Sequence, residues 1–214
     1  MKQLLIINAS SRTNRSITRR LTEKFAAGWS TIHPNGIVKN RDLGVNPPPS
    51  ISHVWIEAAY AVADGSTTIS EALQLSEELI GEIEEADMIV MGVPMYNFGM
   101  PAQVKAWFDQ VIRVGRTFTI DATAENPYLP LLTLKPVVAI LSAGDGELHP
   151  GGAMAHLNFL EPHLATLLAF IGLVDLNVIR VGHEQYQDDR FRDSLASAEN
   201  SIIAAVQKTD LAAR

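Results

Sequence analysis

A chain of 214 residues with 47% apolar content is long enough for one full hydrophobic core, and no low-complexity tract marks a second unit. Its net charge of −7 argues against general nucleic-acid binding and against docking on an anionic membrane. With no cysteine, disulfides, thiol redox chemistry and thiolate metal sites are excluded, so any redox activity needs a bound cofactor to carry the electrons. The apolar run after Met1 and Lys2 is too short to cross a bilayer and polar residues follow it; the expectation is no leader, no transmembrane helix and a cytoplasmic protein.

Taken in order, Gln3 to Ala9 reads as a first buried strand. The polar turn Ser10-Ser11-Arg12-Thr13-Asn14-Arg15-Ser16 follows. A helix is then expected from about Ser16 to Trp29, with Ile17, Leu21, Phe25 and Trp29 on one face. A capped helix N-terminus is an anion site, because its first N–H groups lack partners and the helix dipole stands behind them. Neither Gly-x-Gly-x-x-Gly nor Gly-Lys-Ser/Thr occurs here, so one terminal phosphate held by Ser10, Asn14, Arg15 and Ser16 is a better match than a dinucleotide or a nucleoside triphosphate. A polar loop with ordinary capping is the competing reading of the same residues.

Gly36 to Leu43 is a short, charged strand expected towards a sheet edge, and the prolines of 46–50 make a stiff turn. A short helix is expected over Ile51 to Ala61. An amphipathic helix is expected over Ile69 to Ile83, its Glu71, Glu77, Glu78 and Glu82 forming a solvated face.

Met88 to Val93 is an unbroken apolar run ended by Pro94, the mark of a strand buried on both faces. The loop Met95-Tyr96-Asn97-Phe98 offers two aromatics and an amide, suited to a flat hydrogen-bonding ring. From Pro101 a helical period places Val104, Trp107, Phe108, Val111 and Ile112 on one face. Thr119 to Lys135 is a long connection too apolar for a plain solvent loop, and its Tyr128 and leucines suit a substrate pocket or a second protomer. Pro136 to Leu141 is the next buried strand, followed by the small-residue loop Ser142-Ala143-Gly144-Asp145-Gly146. A helix within Gly151 to Phe170, a strand over Gly172 to Val181 and a helix from Arg190 to Val206 complete the chain.

Five alternations of strand and helix imply an α/β fold with a parallel sheet. The order 2-1-3-4-5, with helices on both faces, would bring the turns at Ser10, Met95 and Ser142 to one end of the sheet, where open α/β sheets bind ligands. His149, His156 and His163 recur every seven residues, which is poor spacing for a metal site, and none is expected. A hydrolase triad of Ser142, His183 and Asp175 lacks the Gly-x-Ser-x-Gly elbow. No side chain stands out as a catalytic acid or base.

The run Pro94-Met95-Tyr96-Asn97-Phe98, with Pro101, Lys105, Trp107 and Asp109, then Arg113-x-Gly115-x-Thr117-Phe118, resembles the FMN-dependent NADH:quinone oxidoreductases, also called azoreductases. The Ser10 turn, Arg41-Asp42-Leu43 and Phe170-Ile171-Gly172 extend the resemblance over nearly the whole chain. It implies a single flavodoxin-like domain over residues 1–214, with an inserted loop at about 119–135. It further implies a homodimer that binds FMN, takes hydride from NADH and passes it to quinones or azo compounds in a ping-pong order. The implied flavin contacts are Ser10, the Asn14–Ser16 turn (Asn14, Arg15 and Ser16), Met95, Tyr96, Asn97 and Phe98, and the loop of Ser142, Ala143, Gly144 and Asp145. Phe118, Tyr128 and Phe170 are expected at the substrate pocket or dimer interface. The family's usual Ser-Arg-Gly-Gly is replaced here by Ser142-Ala143-Gly144-Asp145, which would put a carboxylate beside the flavin. The alternative is a flavodoxin-like electron-transfer or regulatory module that binds FMN without turning over NADH.

Overall fold

The computed structural model describes residues 1–63 and 70–211. Its main sheet contains β1 (Gln3–Asn8), β2 (Ile37–Asp42), β3 (Met88–Pro94), β6 (Val137–Ser142) and β7 (Leu176–Val181). All pairs are parallel and the order is β2-β1-β3-β6-β7, the arrangement expected from the sequence. The direction of travel reverses between β1 and β3, which are adjacent and in register from Leu4 opposite Met88 to Asn8 opposite Gly92.

Side chains of successive strand residues point to opposite faces, so each strand feeds two cores. On one face Leu5, Ile7, Ile89 and Met91 pack beneath α3 (Gln74–Glu85), α4 (Ala102–Val111) and α5 (Leu160–Phe170). On the other, Leu4, Ile6, Val90 and Ile140 meet Leu21, Phe25 and Trp29 of α1 (Ile17–Ile32) and Ile202 and Val206 of α6 (Asp189–Leu211). Every residue of β3 and β6 is buried, which explains their unbroken apolar sequence; β2 and β7 are edges with exposed positions.

The short helix expected over Ile51 to Ala61 is α2 (His53–Ala63). Several other boundaries depart from the sequence reading. The helix expected within Gly151 to Phe170 begins only at Leu160. Gly151 lies at φ +93°, a 3-10 turn occupies Ala155–Leu157, and Asn158 accepts the Glu161 N–H at 3.1 Å to set the true start. The last strand begins at Leu176 rather than Gly172. Gly172, at φ +98°, ends α5, with its N–H on the Ala169 carbonyl at 3.0 Å. Ile69, the expected start of an amphipathic helix, lies outside the described residues; a 3-10 turn at Glu71–Leu73 leads into α3. The acidic residues of that helix are not simply a solvated face. Glu82 is buried and pairs with Arg41 of β2, and Glu77 pairs with buried Arg113 and with Arg116. The connection at 119–135 is partly ordered as an antiparallel hairpin of β4 (Phe118–Ile120) and β5 (Tyr128–Pro130).

Candidate functional site

A cleft of about 970 Å³ opens at the carboxyl ends of β1, β3, β6 and β7. Its first wall is the turn between β1 and α1. Ser16 ends this turn in extended geometry, and its Oγ accepts the Arg19 N–H at 3.2 Å. A helix leaves its first N–H groups without internal partners, so the amides of Ile17 and Thr18 are available to an anion. Ser10, Asn14, Arg15 and Ser16 all line the cleft, together with Arg12 and Thr13, which the sequence reading left out.

Arg19 holds this turn from behind. Its guanidinium donates to the Ser10 carbonyl (Nη2 at 2.6 Å) and to the Arg12 carbonyl (3.1 Å), and it pairs with Asp42 at the end of β2. The Arg19 hydrogen bond holds the Asp42 carboxyl below its ordinary range, aided by the N–H groups of Val45 and Gly44. Gly44 is required by this packing, because a Cβ there would fall on the Ser10 carbonyl.

The second wall follows β3. Tyr96 and Gly99 exchange N–H···O bonds at 3.0 Å around Asn97 and Phe98, whose φ values are +47° and +68°. Two left-handed residues in succession make a tight primed turn, a conformation that costs non-glycine residues roughly 1–3 kcal/mol each. Among the described residues the N–H groups of Asn97 and Phe98 have no protein acceptor. Ser11 N–H donates to the Tyr96 hydroxyl at 3.3 Å, and Gln103 Nε2 donates to the Ala9 carbonyl at 2.7 Å; these bonds tie the first two walls together.

The third wall follows β6. Pro94 lies opposite Ser142, and Met95 N–H donates to the Ser142 carbonyl at 2.7 Å. Ser142 and Gly144 line the cleft, as do Met95 and Tyr96. Four expected residues do not. Asn97 and Phe98 stand exposed on the turn beside it, and Ala143 is buried. Asp145 is directed elsewhere: it accepts the Tyr186 hydroxyl at 2.5 Å and the Glu147 N–H at 3.0 Å, and these bonds, Tyr186 first, keep it ionised below its ordinary range. His183 Nδ1 accepts the Gly146 N–H at 3.2 Å and lies 3.5 Å from the Asp145 carboxylate.

A fourth wall was missed by the sequence reading. The segment after β7 contributes Glu184, Gln185 and Gln187, with His183 and Gln187 at φ +64° and +54°. Glu184 pairs with Arg12 at 3.0 Å and so joins this wall to the first, while Gln185 N–H donates to the Gly144 carbonyl at 3.1 Å. The rule that ligands gather at strand carboxyl ends covers β7 as well as its neighbours, and that was the available signal.

Phe118, Tyr128 and Phe170 form a mutual cluster with centroids 4.9 to 6.3 Å apart, away from the cleft lining. Ser142 and His183 stand at the carboxyl end of the sheet and Asp175 at the opposite end, before β7, so a triad of the three is impossible.

The flavodoxin-like fold family matches residues 2–205. An FMN-dependent NADH:quinone oxidoreductase from Opitutus terrae is 50% identical over 203 residues, covering 94% of this chain and 95% of the relative. The chain belongs to this flavodoxin-like oxidoreductase family. An FMN-dependent NADH:quinone oxidoreductase 2 from Trichormus variabilis is 40% identical over 207 residues, covering 96% and 99% of the two chains. The crystal structure of an azoreductase from Bacillus anthracis superposes with a TM-score of 0.85 at 20% identity, covering 97% of this chain and 100% of that one, a likeness of fold.

Proposed function

We propose that the chain is an FMN-dependent oxidoreductase that moves a hydride from NADH to quinones, and to azo compounds, with one flavin cleft per protomer of a homodimer. The convergence of the Ser10–Ser16 turn, of Met95 and Tyr96, and of Ser142 and Gly144 on a single cleft carries this reading. The residues fit the group: two free amides, the Ser16 hydroxyl and Arg15 suit a terminal phosphate, and the unpartnered N–H groups of Asn97 and Phe98 suit a ring that gains negative charge. Ser10 and Asn14 complete the phosphate end. Met95, Tyr96, Ser142 and Gly144 border the ring, while Ala143 and Asp145 shape its loop from outside the cleft.

Bound FMN supplies the hydride-accepting and hydride-donating chemistry; the protein supplies position and field. No side-chain acid or base is needed in this scheme. The strained turn fixes the Asn97 and Phe98 dipoles before reaction, so little reorganisation is needed as charge develops. NADH and the acceptor would occupy the same cleft in turn, a ping-pong order. Exposed Phe98, Phe159, Leu131 and Leu134, with the ring cluster of Phe118, Tyr128 and Phe170, supply an apolar surface for a second copy. The cytoplasm, where NADH is regenerated, is the proposed location. Air-free mixing of the flavin-loaded protein with NADH tests the reading. Rapid loss of the yellow colour, restored by a quinone, is expected; a colour that persists under NADH leaves an FMN-binding electron carrier instead.

A further inference from the structure

A second cavity, of about 290 Å³, opens at the amino ends of β3, β6 and β7, at the end of the sheet opposite the cleft. That volume is at the foot of the ~300–1,000 Å³ range of small-molecule sites. Its floor is apolar and buried: Trp29 of α1, Met88 of β3, Val138 of β6 and Ala205 of α6. Its rim is polar, with Lys2, Asp87, Asp175, Asn177 and Lys208. Lys2 and Asp87 are closed on each other at 3.2 Å, while Asp175 and Lys208 have no ion pair among the described residues. Two cations stand beside two carboxylates, so the rim favours no net charge.

Trp29 is the unusual member. A buried indole N–H ordinarily has a hydrogen-bond partner. Trp29 is 2% exposed, and its N–H has no acceptor among the described residues. The unpartnered side-chain atoms sealed from the surface are Arg113 Nε and His149 Nδ1; the Trp29 nitrogen is not one of them, so the little surface that the ring keeps includes its N–H. The six-membered edge of the ring is taken by Gly36, where a Cβ would strike Cη2 and Cζ3, and His33 packs on the ring at a centroid distance of 4.6 Å. The pyrrole edge is the one left to the cavity.

We propose that this cavity binds a small uncharged aromatic molecule bearing an oxygen acceptor, a phenol or a naphthol. The flat ring would lie on Trp29, Met88, Val138 and Ala205, and its oxygen would accept the Trp29 N–H. The Asn177 amide, which has no hydrogen bond among the described residues, stands on the rim to accept the phenolic proton. No residue of this cavity lines the cleft, so the proposal does not depend on the flavin reading.

The test is a titration of the nitrogen-15-labelled full chain with 1-naphthol, with FMN in excess so that the cleft is occupied, followed through the indole N–H signals of its three tryptophans. Trp29→Phe identifies the Trp29 signal by its loss. In the native chain that signal is expected to move to a plateau, half-complete at or below ~1 mM. Ala205→Leu, which fills the floor, is expected to weaken binding at least ten-fold. The charged analogue 1-naphthoate is expected to bind the native chain at least three-fold more weakly than 1-naphthol, a comparison independent of how the variant folds. A Trp29 signal that stays in place up to that concentration overturns the proposal. So does 1-naphthoate binding within three-fold of 1-naphthol, or a folded Ala205→Leu chain that loses less than ten-fold.

Discussion

The two ends of the sheet are built in opposite ways. At the amino end, the charged groups of Asp87 and Lys135 are closed on polar partners. Asp87 accepts the Gln3 N–H at 2.7 Å and Lys2 Nζ at 3.2 Å, and Lys135 Nζ is buried on the carbonyls of Ile83, Glu84 and Ala86 at 2.6 to 3.1 Å. At the carboxyl end the connections are long, amides are left without acceptors, and all four non-glycine residues with positive φ among those described are found there: Asn97, Phe98, His183 and Gln187. Strain and unpaired donors persist only where the surrounding packing is strong enough to hold them. The amino end and the two cores supply that packing, and the carboxyl end uses it for binding.

If the division is real, substitutions at the two ends should separate binding from stability. The largest effect is expected from Gly44→Ala. Its Cβ would displace the Ser10 carbonyl and the Arg19 guanidinium that grips it, and overpacking of this kind costs ~1–3 kcal/mol. FMN affinity measured by flavin fluorescence should fall about 100-fold, near 2.7 kcal/mol, with a drop in Tm beside it. Unchanged affinity would detach the Arg19–Asp42 brace from the cleft.

Lys135→Met tests the other end. It removes the donor from three carbonyls at the end of α3, and unpaired buried acceptors cost ~1–3 kcal/mol. Burial already pushes the Lys135 ammonium below its ordinary pKa, so the charge is held by those carbonyls against desolvation. Urea unfolding should show a stability loss of about 2 kcal/mol, while FMN affinity stays within two-fold. Equal losses in both measurements would erase the distinction between the ends.

How much of this contrast could be read beforehand depends on the distance over which each feature is decided. The buried runs of β1, β3 and β6, the face carrying Val104, Trp107 and Phe108, and the cap at Ser16 are properties of neighbouring residues, and they led directly to the strand order and to three of the four cleft walls. Asp145 was expected beside the ring because its loop is there. Its side chain is turned by Tyr186, 41 residues away, a pairing that no local pattern encodes. Glu82 was read as solvent-facing for the same reason, since its partner Arg41 lies on a strand 41 residues earlier. The wall of Glu184 and Gln185 has no glycine-rich or aromatic signature, and only the register of β7 beside β6 brings it to the cleft.

Acid should act on the carboxyl end through Asp42. Its folded-state pKa lies below the ordinary 3.8, chiefly because of Arg19, so the stabilisation from its charge is complete above about pH 4 and is lost as pH falls through the lower folded value. Asp42→Asn removes that contribution at every pH. At pH 7 the variant should bind FMN about ten-fold more weakly than the native protein, a difference of ~1.4 kcal/mol. The two affinities should converge as pH falls through the folded value of the Asp42 carboxyl. A difference that persists after that carboxyl has taken up its proton, followed by its own spectroscopic signal, would place the effect in shape rather than charge.

The smallest expected change, Phe98→Gly, is opposite in sign for the two properties. Glycine reaches a φ near +68° without the Cβ clash that Phe98 bears, which favours the folded chain, but it also gains freedom when unfolded, which works against it. Relief of ~1–3 kcal/mol of strain against ~0.5–1 kcal/mol of entropy leaves a net gain between about 0 and 2.5 kcal/mol, centred near 1 kcal/mol. Tm should rise by roughly 1–4 °C for a chain of this length. The ring of Phe98 packs on nothing essential to the core, being 47% exposed, so little is lost there. Turnover should nonetheless fall several-fold, because a softer turn no longer fixes the Asn97 amide beside the cleft. A variant that is both more stable and equally active would mean that the left-handed turn is only a tight connection, and that the strain at this end of the sheet serves no chemistry.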